Sequence, residues 1–336
     1  LNFYIYANSS PQIGIGHIAR QVILAKALIK RGHTVTFVYY SKAEASDSKF
    51  RKLKADYCCI KNIFELKRLS PGSVLIIDDY NLEQAQWQHC FSIARKIVFF
   101  DDGIGQPEKQ VDIVVNMSGH GNSKKIGKVE LQGSQYRLIA DKVSRYRTLP
   151  FEHESNSNEL TVSVMLGGND SQCLSALICR HLLLFKQIKK INVLTLLDQD
   201  VVERNLNSAD VESDKISVIS NAQNLGQVMK KSHFSICAAG GALYEYLCLG
   251  VPAIALIVAD NQKSALYSNE INCSCITLDT RVQLDSSRLQ EAVNRLINHP
   301  RERGKLSRSA SQLFDGLGAG RIAEYFDSVL TGYNDA

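Results

Sequence analysis

The chain lacks any run approaching the roughly 18 to 20 apolar residues that a membrane-spanning helix needs, so no membrane span is expected. Its first apolar stretch, Asn2 to Ala7, is too short for the core of a signal peptide and has no basic flank, which makes a cytoplasmic location the expectation. A disulfide framework is missing as well. The nine cysteines (Cys58, Cys59, Cys90, Cys173, Cys179, Cys237, Cys248, Cys273 and Cys275) are an odd set without regular spacing, set in apolar strand-like or helix-like segments. That is the pattern of reduced, structural thiols. Cys273 and Cys275 stand one residue apart on an expected strand, with no second Cys or His pair nearby to complete a zinc site. Nor is there a large charge excess: the formal net charge is +5. The lysine runs Lys49 to Lys54, Lys124 to Lys128 and Lys186 to Lys190 carry only Phe50 as an interleaved aromatic. Such runs read as solvated faces, which argues against nucleic acid as a partner and leaves a small anionic substrate compatible. No internal repeat and no low-complexity tract is present.

What is there is a chain of 336 residues, 45% apolar and 22% charged, the composition of a globular protein with two domains. Short runs rich in Val and Ile alternate with stretches of helical period, the pattern of parallel sheets with helices on both faces. In the first half, strands are predicted near residues 2 to 7, 34 to 39, 73 to 78, 96 to 100 and 111 to 115, with helices at His17 to Lys30 and Leu82 to Arg95. The aperiodic polar stretch over residues 148 to 159 is the linker candidate. A second series of strands is predicted near 160 to 166, 191 to 196, 215 to 219, 233 to 237, 252 to 257 and 273 to 277, and the tail from Arg288 onward reads as wholly helical. The expectation is therefore an α/β chain of two Rossmann-like domains, residues 1–150 and 151–336, with the last helix a candidate to cross back onto the first domain. Ligands of such sheets bind outside the carboxyl ends of the strands, so the active site is expected in the interdomain cleft.

Chemistry-bearing residues do fall at predicted strand ends. The first strand runs into a loop carrying Gly14 and Gly16, which tolerate backbone angles closed to other residues, and His17 then opens an amphipathic helix. Gly14-x-Gly16-x-x-Ala19 also fits a dinucleotide fingerprint, but the first glycine comes well after the strand and the second strand ends Tyr39-Tyr40-Ser41 with no acid placed for a ribose. A histidine titrates near neutrality, and the positive end of its helix favours the neutral, basic form. The third strand ends Asp78-Asp79-Tyr80, the next ends Asp101-Asp102, and Asn116 follows Val111 to Val115. In the second half, Val162 to Leu166 breaks into Gly167-Gly168-Asn169-Asp170, and Ser235 to Ala239 leads into Gly240-Gly241-Ala242 with Glu245 one turn on. A glycine pair opening a helix aims free N–H groups and the helix dipole at a phosphate, and Glu245 is placed to accept hydrogen bonds from ribose hydroxyls. Asn261 and Gln262 are further substrate-binding candidates.

Taken in order, Gly14-Ile-Gly16-His17-Ile-Ala-Arg20, Asp78-Asp79-Tyr80, Asp101-Asp102, Gly167-Gly168-Asn169-Asp170, Gly240-Gly241 with Glu245, and Asp315-Gly-Leu-Gly-Ala-Gly-Arg321 resemble the UDP-2,4-diacetamido-2,4,6-trideoxy-β-L-altropyranose hydrolases of pseudaminic acid biosynthesis. That family is in turn similar to the peptidoglycan N-acetylglucosaminyltransferase, with a glycosyltransferase-B fold. The most specific stretch is Ser9 through Arg20, which looks like the hydrolase form of a loop that transferases share only as Gly-x-Gly-His. The resemblance implies a UDP-sugar as the partner, His17 beside the attacking water, Tyr80 close to the sugar, Gly240 and Gly241 at the pyrophosphate and Glu245 on the ribose. No metal and no cofactor are expected. Two departures are visible: Ala242 stands where relatives often carry Ser, and the arginine that often follows the Leu138-Ile139 pair is absent.

On this reading His17, Tyr80 and Asp78 are the catalytic candidates. Gly14, Gly16, Arg20, Asp101, Asn116, Gly168, Asn169, Asp170, Gly240, Gly241, Ala242, Glu245, Asn261 and Gln262 are the substrate-binding ones. Water attacks the anomeric carbon with inversion as His17 takes its proton, and Asp78, Tyr80 and Asp101 orient water or sugar. An inverting glycosyltransferase and a non-catalytic nucleotide-sugar binding protein are the alternatives.

Overall fold

The structure, a computed structural model, describes residues 1–7, 16–40, 53–102, 107, 109–118, 125–148, 159–167, 173–195, 198–220 and 224–330. Gly14, Gly168, Asn169 and Asp170 lie outside the described residues, as does nearly all of the linker candidate. Two compact units emerge, one of Leu1–Leu138 with Leu317–Ala336 and the other of Ile139–Gly316. Residues 139 to 150 thus belong with the second unit, and the chain from Leu317 onward with the first.

The first unit runs Asn2–Ala7 (β1), Gly16–Lys30 (α1), Thr34–Tyr40 (β2), Asp56–Ile60 (β3), Ser73–Asp78 (β4), Gln84–Ile93 (α2), Lys96–Phe100 (β5), Val111–Asn116 (β6) and Gly127–Gln132 (β7). Its strands form one parallel sheet in the order β3-β2-β1-β4-β5-β6-β7. Strand alternation divides the core cleanly. Phe3, Ile5, Val35, Phe37, Val74, Ile76, Val98 and Phe100 pack on one face against Leu24 and Leu28 of α1, while Tyr6, Leu75, Ile77, Ile97 and Phe99 pack on the other against Trp87 and Cys90 of α2. α1 stops at Gly32, whose φ of +87° suits glycine; His33 N–H reaches back to Leu28 C=O at 3.1 Å and Gly32 N–H to Ile29 C=O at 3.0 Å, closing the last turn.

The second unit runs Asp141–Ser144 (α3), Leu160–Met165 (β8), Leu174–Leu183 (α4), Ile188–Thr195 (β9), Gln199–Ser208 (α5), Ile216–Ser220 (β10), Leu225–Lys230 (α6), Phe234–Ala238 (β11), Gly241–Cys248 (α7), Ala253–Ile257 (β12), Asn269–Asn272 (α8), Ile276–Asp279 (β13), Ser286–Asn298 (α9) and Pro300–Leu313 (α10). Its parallel sheet is ordered β10-β9-β8-β11-β12-β13. Side chains of α4, α5 and α9 fill one face and those of α7 and α10 the other. The final helix, Gly318–Leu330 (α11), buries Ile322 and Phe326 in the α1 face of the first sheet, with Phe326 stacked on Phe3 at 5.8 Å.

Two expectations need correction, and one gains detail. The helical tail is in three pieces: α9 ends at Asn298, Pro300 restarts the chain as α10, and Gly316, with φ +81°, separates α10 from α11. Proline is tolerated in a helix only in its first turn, which is where Pro300 sits. Cys273 and Cys275 precede β13 instead of lying on it, because α8 occupies the residues before them. The prediction also omitted β3 and β7, the two edge strands of the first sheet.

Candidate functional site

The face geometry of β4 decides where the first polar site forms. Asp78 pairs with Ala7 and lies on the same face as Ile76, the face that α1 covers. Two residues on, past the strand's end, Tyr80 brings its hydroxyl to Arg20 and its ring against His17. On α1, His17, Arg20 and Gln21 stand at i, i+3 and i+4, and the stripe continues with Leu24 and Leu28, so one helix face carries three polar groups at its start and apolar ones after. The polar end of the stripe meets the polar end of the strand.

Asp78, fully buried, accepts four hydrogen bonds there. Its Oδ1 takes His17 Nδ1 at 2.6 Å and Arg20 Nη2 at 2.5 Å, and its Oδ2 takes Arg20 Nε at 2.7 Å and Gln21 Nε2 at 2.8 Å. Arg20 goes on to Asp102 Oδ2 through Nη1 at 2.8 Å and to the Tyr80 hydroxyl through Nη2 at 2.7 Å. Tyr80 donates its own hydrogen to Asp102. The Tyr80 ring stands edge-on to His17, centroids 4.7 Å apart at 67°. Among the described residues, Nε2 of His17 has no hydrogen-bond partner.

The ionisation states follow from this packing. Burial alone would raise the Asp78 carboxyl, but the charge and hydrogen bonds of Arg20, with His17 behind them, hold it below the usual carboxylate range. Burial is overcome in the same way at Asp102, by Arg20, Arg137 and the Tyr80 hydroxyl, which drive it well down. Burial pushes the Tyr80 phenol well up. For Arg20, burial opposes the charge, and Asp102 and Asp78 outweigh it and raise the guanidinium further. The network therefore holds two carboxylates, one guanidinium and a neutral phenol.

Several sequence expectations change at this point. Asp78 has its four acceptor positions filled by protein donors, so it cannot also orient water or sugar. The Arg20 guanidinium bonds Asp78, Asp102 and Tyr80. Asp101 is buried after β5, where its N–H bonds Val115 C=O; it is Asp102 that joins the network. Asn116 uses its side-chain oxygen to accept from the N–H (3.0 Å) and hydroxyl (2.7 Å) of Ser118, a local turn. Asp79 points to the other face, toward the Tyr6 hydroxyl at 3.4 Å. Gln21 and Asp102 were missing from the candidates, although both were signalled: Gln21 continues the buried stripe of α1, and Asp102 lies two residues beyond Phe100, on the α1 side of the sheet.

The second polar site is at α7. Gly240 is extended (φ −105°, ψ −151°), and no side chain caps the helix that starts at Gly241. Gln262 accepts the Val258 N–H through Oε1 at 3.0 Å, and a Cβ placed on Gly240 would stand 3.6 Å from its Nε2, so an amide donor flanks the glycine pair. Gly241 has open space where a side chain would project. Ala242 is partly buried in the first turn, as is Glu245 in the next. Burial pushes Glu245 up to about 7 against the opposing charge of Lys142 on α3. Asn261 lies in a short 3₁₀ segment, Asp260–Leu266.

No family model matches the chain. The uncharacterized protein MJ1062 of Methanocaldococcus jannaschii is 24% identical over 288 residues, 81% of this chain and 56% of that one, so the chain spans about half the length of the curated relative it matches. Among solved structures, MurG of Acinetobacter baumannii superposes with a TM-score of 0.66 at 11% identity, covering 98% of this chain and 99% of its own. CalG4, the calicheamicin glycosyltransferase, gives 0.63 at 14% identity, covering 99% of each chain. A UDP-N-acetylglucosamine 2-epimerase gives 0.56 at 13%, covering 100% of this chain and 97% of its own. The fold is that of glycosyltransferase-B. At these identities the likeness is one of architecture, and the residues at α1 and α7 have to speak for the chemistry. Among the described residues, no helix is long and apolar enough to cross a membrane.

Proposed function

We propose that this chain is a UDP-sugar hydrolase that releases UDP from UDP-2,4-diacetamido-2,4,6-trideoxy-β-L-altropyranose by attack of water at the anomeric carbon. The observation that carries the reading is the buried contact of His17 Nδ1 with Asp78 at 2.6 Å, which leaves the other ring nitrogen uncommitted among the described residues. A neutral imidazole anchored through one nitrogen can take a proton through the other. In the proposed step Nε2 removes a proton from water as its oxygen bonds to the anomeric carbon, the carbon–oxygen bond to UDP breaks with inversion, and the electron pair leaves on the diphosphate. General-base help of this kind is worth roughly 10²- to 10⁴-fold.

The nucleotide is assigned to the second unit. The uncapped start of α7, with Gly240, Gly241 and the Gln262 amide, supplies donors for the pyrophosphate and for the charge that grows on it. Glu245 accepts from the ribose. The resemblance of Ser9 through Arg20 to the hydrolases supports water, and not a second sugar, as the attacking group. The fold shared with CalG4 supports a second reading, an inverting transferase in which His17 deprotonates an acceptor hydroxyl.

Incubation with a panel of UDP-linked amino sugars in the absence of any acceptor discriminates the two. Release of free UDP, with oxygen-18 from water entering the sugar, is the expected result. Label in UDP, or release only when an acceptor is supplied, refutes hydrolysis at carbon. A folded His17→Ala variant with near wild-type turnover removes the histidine from its assigned role.

A further inference from the structure

We infer that Asp78 is a positioning residue that fixes the single imidazole hydrogen of His17 on Nδ1, and that Arg20 and Gln21 hold the Asp78 carboxylate in the orientation that does so; this rests on the reading of His17 as the base. Every group around that carboxylate is a donor. Arg20 supplies Nε and Nη2, and Gln21 supplies Nε2, which leaves one position on Oδ1 for the histidine. An ionised carboxylate only accepts, so the hydrogen in the 2.6 Å contact belongs to the imidazole nitrogen. The lone pair of the neutral ring is then on Nε2.

Ring orientation is secured from the second side. Tyr80 lies edge-on to His17 at 4.7 Å and is itself fixed by accepting from Arg20 and donating to Asp102. A half-turn of the imidazole about Cβ–Cγ would put Cδ2 in the place of Nδ1 and give up the Asp78 bond. Arg20 thus acts twice, gripping the carboxylate that sets the tautomer and the phenol that walls the ring.

The direct test reads the tautomer in the wild-type protein. Nitrogen-15 NMR of the full chain labelled at its eight histidines, with His17 assigned by the loss of its signals in His17→Gln, reports which nitrogen carries the hydrogen. Hydrogen on Nδ1 of neutral His17 is expected, and hydrogen on Nε2 overturns the inference. In Asp78→Asn, an amide NH₂ has to face a donor, so a fraction of Nε2–H tautomer is expected to appear. Over the same experiment kcat should fall at least about tenfold, within the roughly 10²- to 10⁴-fold that a base supplies, while KM stays within about twofold. Wild-type kcat, or an unchanged tautomer alongside a lowered kcat, removes Asp78 from this role. If the wild-type chain carries Nδ1–H but frees UDP from no substrate, the hydrolase reading fails and the assignment of Asp78 to the tautomer survives.

Discussion

At α1 the first unit joins a histidine, an arginine, a glutamine, a tyrosine and two carboxylates into one connected network, in which Gln21 Oε1 and Asp102 Oδ1 stay buried without a partner among the described residues, whereas at α7 the second unit offers backbone donors and a single partly exposed acid. The difference is in who supplies the counter-charge. Around Asp78 and Asp102 it is Arg20, a permanent cation already in place, and both acids sit below their usual range. Glu245 has only the more distant Lys142, and burial leaves its carboxyl near neutrality, at about 7. A network of the first kind is rigid before any ligand arrives, and an acid of the second kind still has a proton to exchange when one does.

The largest effect that would break this contrast is on stability. Asp78→Ala leaves the buried Arg20 guanidinium short of its bidentate partner, and removing one member of a buried pair costs about 3 to 5 kcal/mol. Urea denaturation should show that loss, and a cost under about 1 kcal/mol would mean the network is not the connected unit described. The same pair gives the acid limb its sign: with the folded carboxyls held low, their contribution is present above about pH 4 and is lost as pH falls through the depressed values.

Tyr80→Phe comes next. It deletes the hydroxyl that accepts from Arg20 and donates to Asp102, and leaving those partners unsatisfied costs about 1 to 3 kcal/mol. Equal stability of the two proteins would show that the hydroxyl is not part of the structure's support.

Glu245→Gln sharpens the other side of the comparison. Glu245 keeps its proton to about 7 in the fold against a usual 4.5, so the folded chain binds more protons than the unfolded one between those values and stability falls as pH rises through that window. The melting temperature of Glu245→Gln should lack that part of the slope between pH 5 and 7. UDP affinity, if the ionised carboxylate meets the ribose, should rise through pH 7 in wild type more than in the variant, a difference that calorimetry at several pH values reads directly. Identical profiles would take Glu245 out of the nucleotide site.

The smallest effect is expected from Ala242→Ser. A hydroxyl in the first turn of α7 adds one donor next to the glycine pair, and a hydrogen bond of that kind is worth about 0.5 to 1.5 kcal/mol, so UDP should bind up to about tenfold more tightly. Weaker binding would indicate that the phosphates do not sit there.

In the first sheet, legibility in the sequence tracked burial. The central strands β1, β4, β5 and β6 are almost wholly buried, and each is a predominantly apolar run that reads as a strand without help. The edge strands β3 and β7 are half-exposed; Asp56-Tyr-Cys-Cys-Ile and Gly127-Lys-Val-Glu-Leu-Gln mix charge and apolar residues, and nothing in them stands apart from a loop. Asp78, Tyr80 and His17 were legible as residue types at strand and helix ends. Their partition was not, because the neighbouring Asp79 and Asp101 carry the same chemistry and differ only in the face they take.

What the sequence determined by itself was the layering: apolar runs of strand length separated by helical periods bury both their faces as parallel sheets covered by helices, and the glycine pair marks the start of α7. What only the tertiary structure decided was the pairing of charges. Asp78, not Asp79, lies under α1 because the register of β4 on β1 turns it that way, and Arg20 becomes an internal counter-ion because the i, i+3 and i+4 stripe of α1 delivers it to that carboxylate. A side chain's partner depends on the face it is given, and the face is fixed only when strand and helix pack.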